Sequence, residues 1–321
     1  MIRTVIDIGS NSIKMRTAKI NKNKVNIIRD ETEVVRLSRG MNSTGVLNPE
    51  SMKRSCNTVA RMVSRAKSSG VNKSEIFLVG TMALRTAKNA DEFIKLVKEA
   101  TGLDVHVFSG IEEAKYSWLG AVDGFNFSGS VIMFDTGGGS TEFVSGSLDS
   151  EAQGVKKVIS VPVGAVNLSE KFFNERDKPF NKSTCDNAIE FVGKLFHEHD
   201  IASFRENNSH IHIIGVGGGV VAMSSVKNAC ESFMPSKLHG SVLTTRDIVR
   251  QIRMYASLTL SERENIIGLP ASRADVILGS ACIIFEALKI LNADSCIVSI
   301  NGLRHGLLLR DDNINANINI N

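Results

Sequence analysis

Apolar residues recur along this chain with two different periods. Residues 4–8, 13–20 and 25–28 are short β-rich runs, broken at Gly9 and at Lys22-Asn23-Lys24, and they predict a meander of two or three strands. From Asn48-Pro49-Glu50 onward the spacing changes. Met52, Val59, Met62, Val63 and Ala66 fall on one helical face, behind a Pro in the first turn. Residues 76–80 then predict a strand, 90–100 a helix stopped near Gly102, 105–108 a strand and 112–122 a helix. The second half repeats the style, with strands at 131–134, 142–147, 158–163, 211–215 and 296–300. Its helices are expected at 185–197, 247–257, 274–291 and 303–310. Strands alternating with helices of this length predict an α/β architecture. Residues 311–321 include five Asn and are expected to be a disordered tail.

The pattern also contains an internal repeat. Val5-Ile6-Asp7-Ile8-Gly9-Ser10-Asn11-Ser12 superimposes on Met133-Phe134-Asp135-Thr136-Gly137-Gly138-Gly139-Ser140, the two Asp lying 128 positions apart (135 less 7). Each copy reads as a strand, an Asp at its end, a tight Gly turn and a returning strand. A turn without side chains lets backbone N–H groups converge on an anion. The Ser hydroxyl adds a donor, and an ionised Asp suits a hard cation. A plain hairpin turn explains either copy alone; two copies in matching strand contexts point to duplicated half-domains gripping a phosphate chain. A third glycine cluster, Gly215-Val216-Gly217-Gly218-Gly219, follows a strand and suits a turn onto a helix N-terminus facing an anion. A close-packing turn is the alternative. Val220 breaks the dinucleotide G-x-G-x-x-G spacing, and no Walker A motif occurs.

Composition narrows the class further. The chain has 321 residues, 42% of them hydrophobic, which is enough for two domains with their own cores. No apolar run approaches the ~20 residues of a membrane helix, and Asp7 interrupts any signal-peptide core, so no membrane role is expected. Five widely spaced Cys are neither a disulfide framework nor a zinc motif, which fits a reducing, cytoplasmic setting. A net charge of +4 suits an anionic ligand, but with 6% aromatics and no basic run carrying stacking residues nucleic acid is disfavoured.

Seven segments in order resemble the exopolyphosphatase and guanosine pentaphosphate phosphatase (Ppx/GppA) family, from about residue 3 to about residue 310. Residues 7–12 are similar to its first phosphate loop, and RLSRGMNSTGVL at 36–47 to its L-G-x-G-L segment. TMALRTAKN at 81–89 resembles A-T-x-A-x-R-x-A-x-N, SGIEEA at 109–114 resembles S-G-x-E-E-A, and DTGGGSTE at 135–142 resembles D-x-G-G-G-S-T-E. Residues 272–279 and 299–306 are similar to R-x-D-x-x-x-G and V-S-x-x-G-L-R-x-G. The resemblance implies an α/β fold of the sugar kinase/Hsp70/actin superfamily, with duplicated ribonuclease H-like, actin-like domains around a cleft. Domain I is expected at 1–124, domain II at 125–300, with the final helix, about 301–310, returning to domain I. Three departures stand out. His305 replaces the usual Glu, Val216 and Gly219 replace two Thr of a G-T-G-G-T loop, and the chain is expected to be a short, two-domain member without the C-terminal helical domain of larger ones.

That resemblance also assigns roles. Glu113, second Glu of E-E-A and just inside a predicted helix, is the expected base, with Glu112 as bystander, although sequence alone allows the reverse. Asp7 and Asp135, with Glu113, are the expected Mg²⁺ (or Mn²⁺) ligands, Asp135 also orienting the water. Gly9, Ser10, Asn11, Ser12, Arg85, Gly137, Gly138, Gly139, Ser140, Thr141, Gly217 and Gly218 are the expected phosphate contacts. Ser12 and Lys14 share a strand face if alternation holds, so Lys14 is a weaker candidate. The expected reaction is water attack on the terminal phosphate of inorganic polyphosphate; the alternative is hydrolysis of guanosine pentaphosphate to the tetraphosphate. A small-molecule kinase of the superfamily and a non-catalytic polyphosphate or alarmone sensor are remoter readings. A homodimer is a family-based expectation. His210 with His212, and His197 with His199, read as polar surface histidines rather than metal ligands, and Trp118 and Phe125 as packing residues.

Overall fold

The computed structural model describes residues 1–21, 24–149, 154–175, 177–205 and 211–309. His210 and the 311–321 tail lie outside them. The chain divides into two compact units, one formed by Met1–Gly120 with the helix that starts at Leu303, the other by Ala121–Gly302.

Unit one runs β1 (Ile2–Ile8), β2 (Ser12–Asn21), β3 (Lys24–Val34), the single turn α1 (Met41–Thr44), α2 (Pro49–Ser68), β4 (Ile76–Gly80), α3 (Met82–Thr86), α4 (Ala90–Thr101), β5 (Val105–Val107) and α5 (Gly110–Val122). Its sheet has the order β3-β2-β1-β4-β5, antiparallel through the first three strands and parallel from β1 to β5. Ile6, Ile8, Ile13 and Met15 face Val59, Met62 and Val63 of α2 and Phe93 and Val97 of α4, so the helical spacing read from the sequence is the buried stripe of α2. The Asn48 side chain accepts from the Glu50 and Ser51 amides, which fixes where α2 begins. The opposite sheet face carries Val5, Ala18 and Val79 beneath Leu303, Leu307 and Leu308. β3 is longer than the predicted 25–28. Its second half carries charge on both faces, and Glu31 and Glu33 are held by Arg65 and Arg61 of α2.

Unit two repeats the plan with β6 (Ser130–Thr136), β7 (Thr141–Ser147), β8 (Gly154–Val161), α6 (Ala165–Phe172), α7 (Lys182–Glu198), β9 (Ile211–Val216), α8 (Gly218–Lys227), α9 (Pro235–Leu238), β10 (Val242–Thr244), α10 (Thr245–Ala256), α11 (Leu260–Arg263), α12 (Ile277–Ile290) and β11 (Ser295–Val298). The sheet order is β10-β11-β9-β6-β7-β8. Strands β8-β7-β6-β9-β11 reproduce β3-β2-β1-β4-β5 in direction as well as order, and β10 adds an antiparallel edge. Two mixed sheets of this duplicated plan are the actin-like, ribonuclease H-like α/β fold. The predicted helix 274–291 is one helix that starts later, at Ile277, after a 3-10 turn at Ala271–Arg273. The predicted strand 158–163 stops at Val161, because Pro162 has no amide to pair and Val163 N–H turns back onto the Val161 carbonyl. α13 (Leu303–Leu309) then packs on β1 and β2 of unit one.

Candidate active-site half-sites

Both repeated turns have one geometry. Gly9 N–H donates to Ser12 O at 3.1 Å and Gly137 N–H to Ser140 O at 2.9 Å, closing four-residue loops between paired strands. In each, the loop carbonyls are tied down from behind. Ser10 O accepts from Ser38 N–H, and Asn11 O from the Val35 and Arg36 amides. In unit two Gly137 O accepts from Ala165 N–H, Gly138 O from Val166 N–H, and Gly139 O from the Asn167 side-chain amide. A trans peptide points its N–H opposite to its C=O. The Asn11 and Ser12 amides therefore turn away from the 35–38 segment. The Gly138, Gly139 and Ser140 amides turn away from α6 together, a nest of three successive donors suited to an anion. Gly164 lets α6 approach that nest. A Cβ there would lie 2.5 Å from the Gly138 carbonyl carbon.

Cross-strand pairing sets the charges beside each turn. Asp7 is buried and stands opposite Lys14, whose Nζ lies 3.8 Å from its Oδ2. Asp135, at the equivalent place, stands opposite Glu142, which is 1% exposed and accepts the Ser160 hydroxyl at 2.8 Å. The first turn is thus flanked by an ion pair and the second by two carboxylates. Glu142 ends the DTGGGSTE segment, where it carried no expected role. The signal was available: a four-residue turn centred between Gly138 and Gly139 pairs 136 with 141 and 135 with 142.

Glu112 and Glu113 separate cleanly. Ser109 caps α5, and Glu112 Oε2 returns to the Ser109 amide and hydroxyl, both at 2.8 Å, a capping box. Glu113 instead turns to Arg85, whose Nη1 lies 3.3 Å from its Oε2 and also donates to Phe108 O at 2.7 Å. The two side chains are 14% and 24% exposed, so the pair is mostly sheltered yet reachable. Arg85, expected only as a phosphate contact, thus also orients Glu113.

The third cluster is built differently from its sequence picture. Gly217 has φ +104° and precedes α8. A Cβ there would approach Thr136 O at 2.5 Å and Asp135 Oδ1 at 3.2 Å. Gly218 leaves space that the Arg273 guanidinium fills, so Arg273 stands at the α8 N-terminus, which the sequence did not indicate. Gly219 abuts the Ser280 side chain, which occupies the space a Thr would need. Thr141, expected to contact phosphate, is fully buried and donates its hydroxyl to Val163 O at 2.7 Å, so that donor is already spent on holding the strand end.

Among the described residues no three His, Cys, Asp or Glu side chains form a cation-binding group. Of the expected trio, Asp7 and Glu113 each already face a cationic side chain, and Asp135 belongs to the other unit. The residues nonetheless fit a hard divalent cation. Adjacent carboxylates repel unless neutralised, and Mg²⁺ is commonly held by one or two of them with substrate phosphates. His212 stacks on Phe127 at 4.1 Å and Phe125 on His239 at 4.5 Å, while His199 Nδ1 meets Leu195 O, so these rings serve packing and local hydrogen bonding. Trp118 is buried in unit one.

Two actin-like units, each opening on an Asp-tipped glycine turn, define the class. The chain belongs to the Ppx/GppA phosphatase family, whose model matches residues 17–313. A Ppx/GppA family member from Aquifex aeolicus of known structure is 30% identical, with TM-score 0.78 and 96% of each chain covered. An exopolyphosphatase from Cytophaga hutchinsonii, 23% identical with TM-score 0.83 and 96% of each chain covered, shares the fold. A curated bifunctional 3-dehydroquinate synthase/phosphatase from Fusobacterium nucleatum is 30% identical over 96% of this chain and 46% of its own length. A guanosine-5'-triphosphate,3'-diphosphate pyrophosphatase from Vibrio atlanticus is 28% identical over 94% of this chain and 57% of its own. The chain therefore spans about half the length of these curated relatives.

Proposed function

We propose that this chain is a phosphoanhydride hydrolase that removes the terminal phosphate of guanosine pentaphosphate, with Glu113 as the base. The sequence alone put inorganic polyphosphate first. The names of the curated relatives move the weight to guanosine pentaphosphate, and both substrates offer the same polyanionic chain to the loops. The observation that carries the chemistry is the division of labour at α5, where Glu112 is spent on capping and Glu113 is oriented by Arg85.

In this reading the Gly138, Gly139 and Ser140 amides, with those of Asn11 and Ser12, bind phosphate oxygens, and Arg273 and the α8 N-terminus add positive charge. The reading requires both half-sites to act on one substrate. Glu113 accepts a proton from water within hydrogen-bond reach, and the terminal phosphate leaves from the next phosphate in line with the attack. Arg85 holds Glu113 until substrate phosphate competes for the guanidinium. Asp135 and Glu142 would hold a divalent cation, Mg²⁺ or Mn²⁺. Such a cation, when bound, neutralises charge on the phosphate oxygens.

The test is phosphate release from guanosine pentaphosphate, short polyphosphate and long polyphosphate in parallel, with and without a chelator. Chelator-sensitive release, fastest from guanosine pentaphosphate, supports the reading. Faster release from polyphosphate restores the first expectation. Tight binding without turnover of any substrate by the folded chain would make it a sensor.

A further inference from the structure

We infer that Arg263 is a positioning residue for the proposed reaction: it anchors the turn that aims the Arg273 guanidinium at the N-terminus of α8. The inference rests on the phosphate-binding role given to Arg273 above. Arg263, the last residue of α11, is 1% exposed. Burying a guanidinium is costly unless its donors are used. Here Nη1 donates to Ala274 O at 3.1 Å and Nε to Thr259 O at 3.4 Å, and the charge lies over the Phe180 ring, 5.6 Å from its centroid. Burial lowers the Arg263 pKa, and Asp275, the residue after Ala274, raises it.

The turn that carries Arg273 is shaped by bonds within itself. Arg273 N–H donates to Pro270 O at 2.8 Å, Ala274 N–H to Ala271 O at 3.1 Å, and Val276 N–H to Arg273 O at 3.0 Å. All three are local, so they set the form of the turn without fixing its place on the unit-two core. Arg263 reaches it from another element, by the carbonyl that directly follows Arg273. The anchor is itself held. Thr259 and Glu262 form a capping box at the start of α11. Phe180 donates its amide to Ala256 O at 2.8 Å, and its ring meets Phe173 edge-on just past the end of α6. The other end of α6 backs the Gly138, Gly139 and Ser140 amides. Arg263 thus joins the scaffold of that nest to the turn of Arg273.

Placement matters at the far end of Arg273. Its guanidinium fills the space beside Gly218, and a Cβ on the neighbouring Gly217 would lie 3.2 Å from Asp135 Oδ1. The group ends a long side chain, so a small tilt of the turn is magnified there, and a 1 Å misplacement of a substrate-positioning group costs about 10²-fold. A lysine at 263 keeps the charge but not the planar fork that bonds two carbonyls while lying against a ring.

Phosphate release from guanosine pentaphosphate by wild type, Arg263→Lys, Arg273→Gln and the double variant, measured well below their melting temperatures, tests the inference. Affinity for the same ligand is read in parallel by titration calorimetry. Tyr255→Phe is the control, because it removes a buried hydroxyl that donates to Gln251 Oε1 within α10 and should destabilise unit two without touching the turn. Arg273→Gln should lower kcat/KM or affinity by about 10- to 10²-fold. Arg263→Lys, which leaves Arg273 in place, should lose a comparable factor. The double variant should lose no more than Arg273→Gln, since both changes act through one guanidinium. Tyr255→Phe should lose stability and keep both readouts. Lost stability with wild-type kcat/KM and affinity in Arg263→Lys, or losses that multiply in the double variant, would overturn the inference and leave the role of Arg273 standing. Wild-type values in Arg273→Gln would refute that role, and the inference with it. Should Arg263→Lys not fold, Phe180→Leu, which removes the ring beneath the guanidinium, replaces it: a smaller loss in the same sense supports the inference, and unchanged values overturn it.

Discussion

Substituting Gly164 by Ala probes the phosphate loop without touching it. Gly164 has φ −140° and ψ 175°, extended backbone that any residue adopts, so Ala carries no conformational penalty of its own. At such a site Gly→Ala stabilises by about 0.4–1 kcal/mol through the unfolded chain. The new Cβ, however, would lie 2.5 Å from the Gly138 carbonyl carbon and 2.7 Å from its oxygen, and nearer still to the Gly139 nitrogen. Carbon atoms pack at about 3.5–4.0 Å, so the loop must retreat by roughly 1 Å. Those neighbours are all backbone and cannot rotate away. Overpacking of this kind costs about 1–3 kcal/mol, or roughly 2–12 °C in the melting temperature of a domain this size. A 1 Å displacement of groups that position substrate costs about 10²-fold in turnover. Gly70→Ala is the control: it has φ +80° and open space around its Cβ, so it should cost stability and leave turnover alone. The assay pairs thermal unfolding with kcat and KM for phosphate release. Wild-type stability and turnover in Gly164→Ala would refute the seating of the loop. Lost stability with unchanged kcat/KM would make the nest a structural turn.

Other expectations follow from the same contacts. Glu112→Ala should lose the α5 capping box and about 1 kcal/mol of stability while keeping most activity, read by urea unfolding beside phosphate release. Gly219→Thr should destabilise unit two by about 1–3 kcal/mol, because Ser280 occupies the space, and Ser280→Gly should rescue it; thermal unfolding of both variants decides. Burial alone would raise the Asp247 pKa, but Lys227 and the Thr244 hydroxyl and amide lower it to about 2, so its carboxylate stabilises the α10 start above the ordinary carboxylate pKa. That contribution should disappear as pH falls from about 4 through about 2, and Asp247→Asn should show a flatter acid limb.

Local signals made most of the fold legible. The Asp-tipped turns stand out because glycine, an alternating apolar strand and a return strand lie within a dozen residues, and both copies fold as paired strands with the same closing hydrogen bond. The start of α2 was readable because Asn48 and Pro49 act on the adjacent turn. The misses are long-range. Nothing near Gly218 announces that a guanidinium from residue 273 fills its empty side, and nothing near Glu113 announces Arg85. The α6 start, which aims the loop amides, escaped because Gly164 and Pro162 look like turn residues rather than a helix entry. The inward turn of the Thr141 hydroxyl was illegible for a related reason: motif membership places a residue in the chain, while strand pairing decides which way its hydroxyl points.

In the proposed mechanism Glu113 activates the attacking water. Phosphate release by Glu113→Gln, at saturating guanosine pentaphosphate and with binding checked separately, tests it most directly. The expected result is a folded protein that still binds substrate, with turnover down by about 10²- to 10⁴-fold. Turnover equal to wild type would contradict it and move the search for the base to another carboxylate, Glu142 first.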